Sequence, residues 1–482
     1  MTACAGETNG GVVLQAVVDM AMIIDGPRRR EQLAAVAQRL PEHVARLAWS
    51  AEQIKAERQR ALRETLAYAK SKSPWHGARL GHFDPGSFTE DELGTLPLMT
   101  KADVMANWDE IVTDRRLTLA DCNANIAAKL AGACKDYYYL DDYLVIATGG
   151  SSGVRGVFPW GWDEFVEIAC ATFRYQLRDE PPGSLTGRRL LAVVEAGEIV
   201  HGSPFLFSVS TDPAASVTWC PAALPTAELV AALNRAQPTQ INSFASSLQE
   251  LAGEALAGRL SVRPRRVTAN SEPLMPEARD AARRAWGIDI NNMWGCVEVG
   301  HTGIECDAHH GMHMSDDLVI IELVDHNDRP TSDPDAVDRV LVTSLFGRTL
   351  PLIRYELTDV PVPSGRQCPC GATFPLIATV KGRSDDIFVY PGGVQIHPLV
   401  FRTPLGQNSR IEQYQVHQTE HGARIGVIAA GKIDTAALKQ DLIAALAKAG
   451  LANAEIDIQC VDELERHKET GKLRRFVPLR LA

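Results

Sequence analysis

Long basic runs are missing from this chain, and so are apolar stretches of membrane length. Its formal net charge is −11 over 482 residues, and its Lys and Arg are scattered. Nucleic acid is thereby excluded as the main partner, because a phosphate backbone calls for clustered cations. An anionic small molecule is not excluded, since it needs only one local positive site. The apolar run from Val12 to Ile24 is broken by Asp19 and is too short to cross a bilayer, so it reads as an amphipathic helix. Cysteine is sparse, at 10 residues, too dilute for a secreted disulfide scaffold. The expectation is a cytoplasmic protein with reduced thiols, acting without a membrane. There is no internal repeat, no low-complexity tract and no GxxxxGK[ST] loop. With 45% hydrophobic and 23% charged residues, the chain has an ordinary globular composition and ample length for a core without staples.

Helical periodicity opens the readable chain. Arg28 to Leu40 and Glu52 to Lys72 carry apolar residues at about 3.6-residue spacing, and Thr100 with Asp103 three residues on reads as a helix start. From about 140 to 380, strands alternate with helices. RRLLAVVEAG (188–197) and RVLVTSLFG (339–347) read as buried strands, whereas 163–177 and 226–236 read as helices. This alternation predicts an α/β core of packed mixed sheets and helices. A break falls at GRSDD, where Gly382, Ser384 and the pair Asp385-Asp386 make a polar, solvent-tolerant joint. The expected organisation is a large domain over 1–382 and a small α+β domain over 383–482.

Four stretches carry chemistry. ATGGSSGVRG (147–156) follows the apolar run Tyr143–Ile146. Clustered Gly and hydroxyl residues can turn backbone N–H groups toward one phosphate, and read alone they equally make a flexible turn. NNMWGCVEVG (291–300) places Glu298 after a strand–loop junction. A single carboxylate is commonly a surface charge, but beside a phosphate loop it suits Mg²⁺. PLIRYELTDV (351–360) brackets a short strand with Arg354 and Asp359. The pair reads either as salt-bridged surface charges or as a ribose-binding carboxylate that accepts two hydrogen bonds. KETGKLRR (468–475) presents Lys472 after Gly471, either in a solvated tail or as a cation carried into a site of developing negative charge.

In this order the stretches resemble the adenylate-forming superfamily, and within it the phenylacetate–CoA ligase branch. ATGGSSGVRG is similar to the family's phosphate loop, and VTANSEPL (267–274) to the segment lying against adenine. NMWGCVEVG resembles its aromatic-Gly-x-Thr-Glu motif, RYELTD its Arg-Tyr-x-Thr-x-Asp form, GRSDDIFVYPGGVQIHP its hinge, and ETGKLRR the motif bearing its C-terminal lysine. The resemblance covers the chain from the 70s to the end. It implies ATP-dependent activation of a carboxylic acid as an acyl-adenylate, then thioester formation on CoA. Carried over by position, Thr148, Gly150, Ser151, Ser152 and Gly153 hold phosphates, and Glu298 holds Mg²⁺. Ser271, Glu272, Trp294 and Gly295 line the nucleotide, Asp359 and Arg383 contact ribose, Asp385 is the hinge, and Lys472 bridges carboxylate and α-phosphate. Four positions depart from the pattern: Val297 replaces the usual Thr, Trp294 the usual Tyr, Gly149 the first loop Ser, and Arg155-Gly156 a Pro-Lys ending.

Two further stretches, IECDAHHGMHM (304–314) and GRQCPCGATFP (365–375), carry soft ligands. Cys306, His313, Cys368 and Cys370 form a candidate structural Zn²⁺ set, with His309 as the substitute. Some members of the branch are similar here. By the same resemblance, 198–207 and 241–252 line the acyl pocket, with His201, Phe205, Phe207, Phe244 and Ala245 as candidates. Aromatics there suit an aryl or similar small apolar acid, although such residues more often belong to the core. A carrier protein, an amine or another nucleophile is the alternative acceptor. A degenerate nucleotide-binding protein is the alternative to catalysis, and the branch allows a homodimer.

Overall fold

The computed structural model describes residues 27–131, 133–134, 137–148, 155–179, 190–195, 201, 206, 216–333, 336–383, 386–408, 410–467 and 471–479. Three of the helices read from periodicity form at or near their expected bounds, at Pro27–Arg46, Ala51–Lys72 and Thr226–Ala236. Local chemistry sets where they begin and end. Ser50 Oγ accepts the Gln53 amide while Gln53 Oε1 accepts the Ser50 amide at 2.8 Å, a reciprocal capping box. Thr100 and Asp103 repeat the device at 3.1 and 2.8 Å, so Lys101 becomes the first residue of the helix Lys101–Ala106. Gln237 stops the Thr226–Ala236 helix in the left-handed region at φ 46°.

The centre of the N-terminal part is a nine-stranded sheet. One half is antiparallel, running through Asp359–Pro363, Leu376–Arg383, Met312–Met314 and Gly300–Glu305. The pivot is Ile290–Cys296, which pairs antiparallel with Gly300–Glu305 on one side and parallel with Arg266–Asn270 on the other. The parallel half continues through Gln240–Phe244, Leu190–Glu195 and Ser216–Pro221. Val267, Ile241, Val193 and Val194 are wholly buried. Covered on both faces, these strands read as near-continuous apolar runs. Ala245–Leu256 and Pro276–Trp286 cover the parallel half, while Pro27–Arg46 packs on Trp162–Asp179.

The C-terminal part has its own core. Phe388, Tyr390, Phe401, Ile425, Leu442 and Phe476 belong to one buried cluster lying wholly within 388–476. Its sheet orders Glu455–Cys460, Gly422–Ala429, Ile411–Gln418 and Phe476–Val477, with Leu399–Gln407 and Thr435–Lys448 packed together. Two pairs in that sheet are parallel: Glu455–Cys460 returns beside Gly422–Ala429 after the helix Thr435–Lys448, and Phe476–Val477 returns beside Ile411–Gln418.

Candidate functional site

In open sheets, ligands gather beyond the carboxyl ends of parallel strands. Here those ends deliver Phe244, Ser271-Glu272 and Val297-Glu298 to one side of the molecule. A cavity of about 310 Å³ lies there, and its lining includes Thr148, Ser271, Glu298, His301, Asp359 and Lys472. Stretches far apart in sequence thus converge on one space, which is also reached from the C-terminal part through Lys472.

Glu298 is aimed by a break in the sheet. The register slips between Trp294 and Gly295, and a Cβ on Gly295 would lie 2.4 Å from the Gly300 carbonyl oxygen. Only glycine permits that approach, and the resulting bulge turns the chain out of the ladder. Trp160 Nε1 then donates to the Val297 carbonyl at 3.0 Å. The Tyr355 hydroxyl donates to Glu298 Oε1 at 3.1 Å, and Lys101 Nζ lies 3.4 Å from the same oxygen. The Glu298 side chain is only 8% exposed, so this is a fixed carboxylate at the cavity wall. Lys101 and Tyr355 were not singled out from sequence. The Thr100 capping box was the available signal for the first, because it fixes Lys101 at the base of a helix.

Thr148 and Gly156 close the neck of the glycine-rich loop: the Thr148 amide donates to the Gly156 carbonyl at 2.9 Å, and Thr148 Oγ1 accepts the Gly156 amide at 2.8 Å. Gly150, Ser151, Ser152 and Gly153 lie outside the described residues, as do Asp385, Phe205 and Phe207. Asp359 lines the cavity, and its partner across the strand pair is Arg383, whose backbone alone is described. Ser271 lines the cavity with φ 62°, a strained left-handed conformation for a non-glycine residue. The Glu272 carboxylate takes two backbone amides, those of Ser246 at 2.9 Å and Leu473 at 2.8 Å.

Several expected residues sit elsewhere than on the cavity wall. Trp294 is buried in the main apolar core, with no hydrogen-bond partner for its indole N–H among the described residues. Ala245 is packed in the core of the parallel half, 2% exposed, where a helix start leaves no side chain facing the ligand space. Phe244 is also core, but its ring lies 5.3 Å below Lys472 Nζ. Arg354 is neither exposed nor at the site: it is buried, pairs with Glu322 at 3.1 Å and donates to the Leu96 carbonyl at 2.6 Å.

Three groups on the wall titrate abnormally. Burial, reinforced by the charges of Lys472 and Arg155, lowers His201 to about 3. Burial and Lys472 lower His301, a residue not picked out from sequence, to about 4. Both imidazoles are therefore neutral at physiological pH. Burial, with the Glu298 and Asp359 carboxylates, pushes the Cys296 thiol well above its ordinary value. It stays protonated and is not a nucleophile.

Just past the end of the strand Gly300–Glu305, whose start lines the cavity, Cys306 joins His313, Cys368 and Cys370, and the four bring one ligand atom each within 4.8 Å of one another. The Cys306 and Cys368 sulfurs are 3.6 Å apart, and Cys370 Sγ lies 3.4 Å from His313 Nε2. That spacing is too long for a disulfide and matches two edges of a tetrahedron with metal–sulfur bonds of about 2.3 Å. Tyr175 stacks on the His313 ring at 4.6 Å and orients it. His309 instead faces Glu305 at 3.8 Å and is outside the group.

No family model matches the chain. A phenylacetate–coenzyme A ligase of Thermus thermophilus is 27% identical over 131 residues, a match spanning 27% of this chain and 29% of that ligase. Among solved structures, 2-hydroxyisobutyryl-CoA ligase with its acyl-AMP in the postadenylation state is 18% identical, covers 90% of this chain and 91% of its own, and reaches a TM-score of 0.68. The likeness to this ligase shows a fold shared over nine-tenths of both chains. The same neighbour in its thioesterification state overlaps less, at a TM-score of 0.56 with 17% identity and the same coverage. An anthranilate CoA ligase with anthranoyl-AMP reaches 0.50 at 17% identity, covering 69% of this chain and 65% of that one. Among the described residues, no helix is long and apolar enough to cross a membrane.

Proposed function

We propose that the protein activates a carboxylic acid with ATP and transfers the acyl group to CoA. The observation that carries this reading is Lys472, which enters from the C-terminal part into a cavity walled by Glu298, Asp359, Thr148 and Ser271. In the first half-reaction a carboxylate oxygen attacks the α-phosphorus, the bond to pyrophosphate breaks, and an acyl-adenylate forms. Lys472 sits where it can meet both the carboxylate and the α-phosphate, because positioning and charge neutralisation dominate such chemistry. In the second, the CoA thiol attacks the acyl carbon and AMP leaves. Lys472 must withdraw before the thiol enters, and a turn of the 383–482 domain about Asp385 serves this.

The hard carboxylate of Glu298 fits Mg²⁺, which when bound neutralises phosphate charge. Lys101, 3.4 Å from that carboxylate, is placed to hold it between turnovers. Asp359 suits ribose hydroxyls. The neutral His201 and the buried Leu206 leave an uncharged acyl side that suits an aryl or small apolar acid. Cys306, His313, Cys368 and Cys370 fit a closed structural Zn²⁺ site that ties the strand Met312–Met314 to the 365–375 loop.

A panel of aryl, heteroaryl and aliphatic acids, assayed for ATP-dependent pyrophosphate release with and without CoA, tests the proposal. Acid-dependent release and an acyl-CoA product are expected. Release without acyl-CoA points to a carrier protein or another acceptor. No release with any acid overturns adenylation.

A further inference from the structure

We propose that Arg466 is a positioning residue that holds Lys472 in the adenylating pose, through a clamp made with Ser246, Glu250 and Glu272. The proposal rests on the reading of Lys472 given above. Lys472 itself is flanked by two backbone groups, the Gly471 carbonyl and the Leu473 amide; Glu272 takes the amide directly, and Arg466 ties the carbonyl to Ser246 and Glu250. The Leu473 amide donates to Glu272 Oε1 at 2.8 Å. The Gly471 carbonyl accepts from Arg466 Nη1 at 3.0 Å, and the same Nη1 lies 3.2 Å from Ser246 Oγ. Arg466 Nη2 pairs with Glu250 Oε2 at 2.9 Å, one helical turn beyond Ser246. Thr226 Oγ1 donates to the other Glu250 oxygen, and the Ser246 amide donates to Glu272 Oε2 at 2.9 Å. The start of one helix, Ala245–Leu256, therefore anchors both ends of the clamp.

The lysine loop is shaped to fit this grip. Gly471 has φ 71°, and a Cβ there would lie 2.8 Å from the Ala223 amide nitrogen of the large domain. Apart from Gly471, the partners of Arg466 belong to the large domain, while the apolar core of the C-terminal part lies in other residues. Loss of the guanidinium thus removes the hold on the Gly471 carbonyl without opening that core. A planar fork is required, because one Nη serves a carbonyl and a hydroxyl while the other serves a carboxylate, and a lysine ammonium cannot span all three. Side chains of Arg466 and Glu250 are 19% and 31% exposed, so the clamp is wet enough to release when the small domain turns.

The test separates the half-reactions, using an acid from the panel above. Arg466→Ala is expected to slow adenylation about 10- to 100-fold, mostly in kcat, since a displacement near 1 Å can cost that much. Arg466→Lys should recover little of it, and Glu250→Gln should lose less. Thioester formation from synthetic acyl-adenylate and CoA should stay within about twofold of wild type by the same reasoning. Adenylation within twofold of wild type in Arg466→Ala, or an equal loss in both half-reactions, overturns the clamp. Failure of wild type with every acid would sink the adenylation reading and leave the clamp to a second readout. That readout is amide hydrogen exchange over 471–479 in the ligand-free protein. Several-fold faster exchange in Arg466→Ala, at an unchanged Tm, is expected, and unchanged exchange contradicts the clamp.

Discussion

The two sides of the cavity are built differently. The Glu298 wall belongs to one domain and is fixed by a sheet bulge at Gly295, the Tyr355 hydroxyl and Lys101, with its carboxylate almost fully covered. The Lys472 side crosses a seam. It is held by the Glu272 carboxylate, the Arg466 guanidinium and the backbone contact of Gly471 with Ala222-Ala223, some of them half-exposed. Other contacts along the seam are of the same kind: Gln413 Nε2 donates to the Ser246 carbonyl at 3.1 Å, and Gln249 Nε2 donates to the Glu412 carbonyl. On the proposed function, the difference lets one site serve two reactions. The Glu298 wall is set in a close-packed interior that resists movement. The Lys472 side is set in polar contacts, each weak enough to be exchanged for water.

The sharpest break in this comparison comes from the fixed wall. Glu298→Gln should cut acid-dependent pyrophosphate release by about 10²-fold, and its covered partners Lys101 and Tyr355 should lose about 1–3 kcal/mol of stability. A chemical denaturation curve beside the rate assay reads both. Gly471→Ala, on the seam, should slow adenylation by roughly tenfold through strain and displacement of the loop, and the same strain should lower the denaturation midpoint. Away from both walls, Cys368→Ser should abolish a stoichiometric zinc signal in elemental analysis and lower Tm. Adenylation per folded molecule should then change little, because the cluster lies outside the cavity.

The smallest effect concerns pH. Burial lowers His76 to about 3, alongside His201 at about 3 and His301 at about 4, all from an ordinary 6.5. The unfolded chain then binds more protons below pH 6.5, so these groups favour the fold above that value and oppose it as pH falls toward 4. Circular dichroism on acid titration should show stability declining over that window. Adenylation should show no inflection from His201 or His301 between pH 6.5 and 8, since those two imidazoles are already neutral.

Much of this was legible before the fold was seen. The alternation of strands and helices, the Thr100 cap, the glycine before Glu298 and the order of the chemical stretches all reported on local or motif-level constraints. The soft-ligand set was also legible as residue types, and three-dimensional packing brings His313 rather than His309 beside the three cysteines by pairing Met312–Met314 with Leu376–Arg383. What stayed hidden depends on long-range geometry. Arg354 has a salt-bridge partner 32 residues away and carbonyl partners some 260 residues away, so its burial leaves no local trace. Lys101 meets Glu298 across nearly 200 residues, and Arg466 meets Glu250 across 216. Trp294 and Ala245 show the converse, since a motif position does not say whether a side chain faces ligand space or core.

The division between fixed wall and releasable seam is tested most directly by Lys472→Ala, with the two half-reactions timed in single turnovers. The account predicts a loss of about 10²-fold or more in acyl-adenylate formation. It also predicts conversion of synthetic acyl-adenylate and CoA to thioester at close to the wild-type rate. Unchanged adenylation, or a parallel fall in both steps, would contradict it.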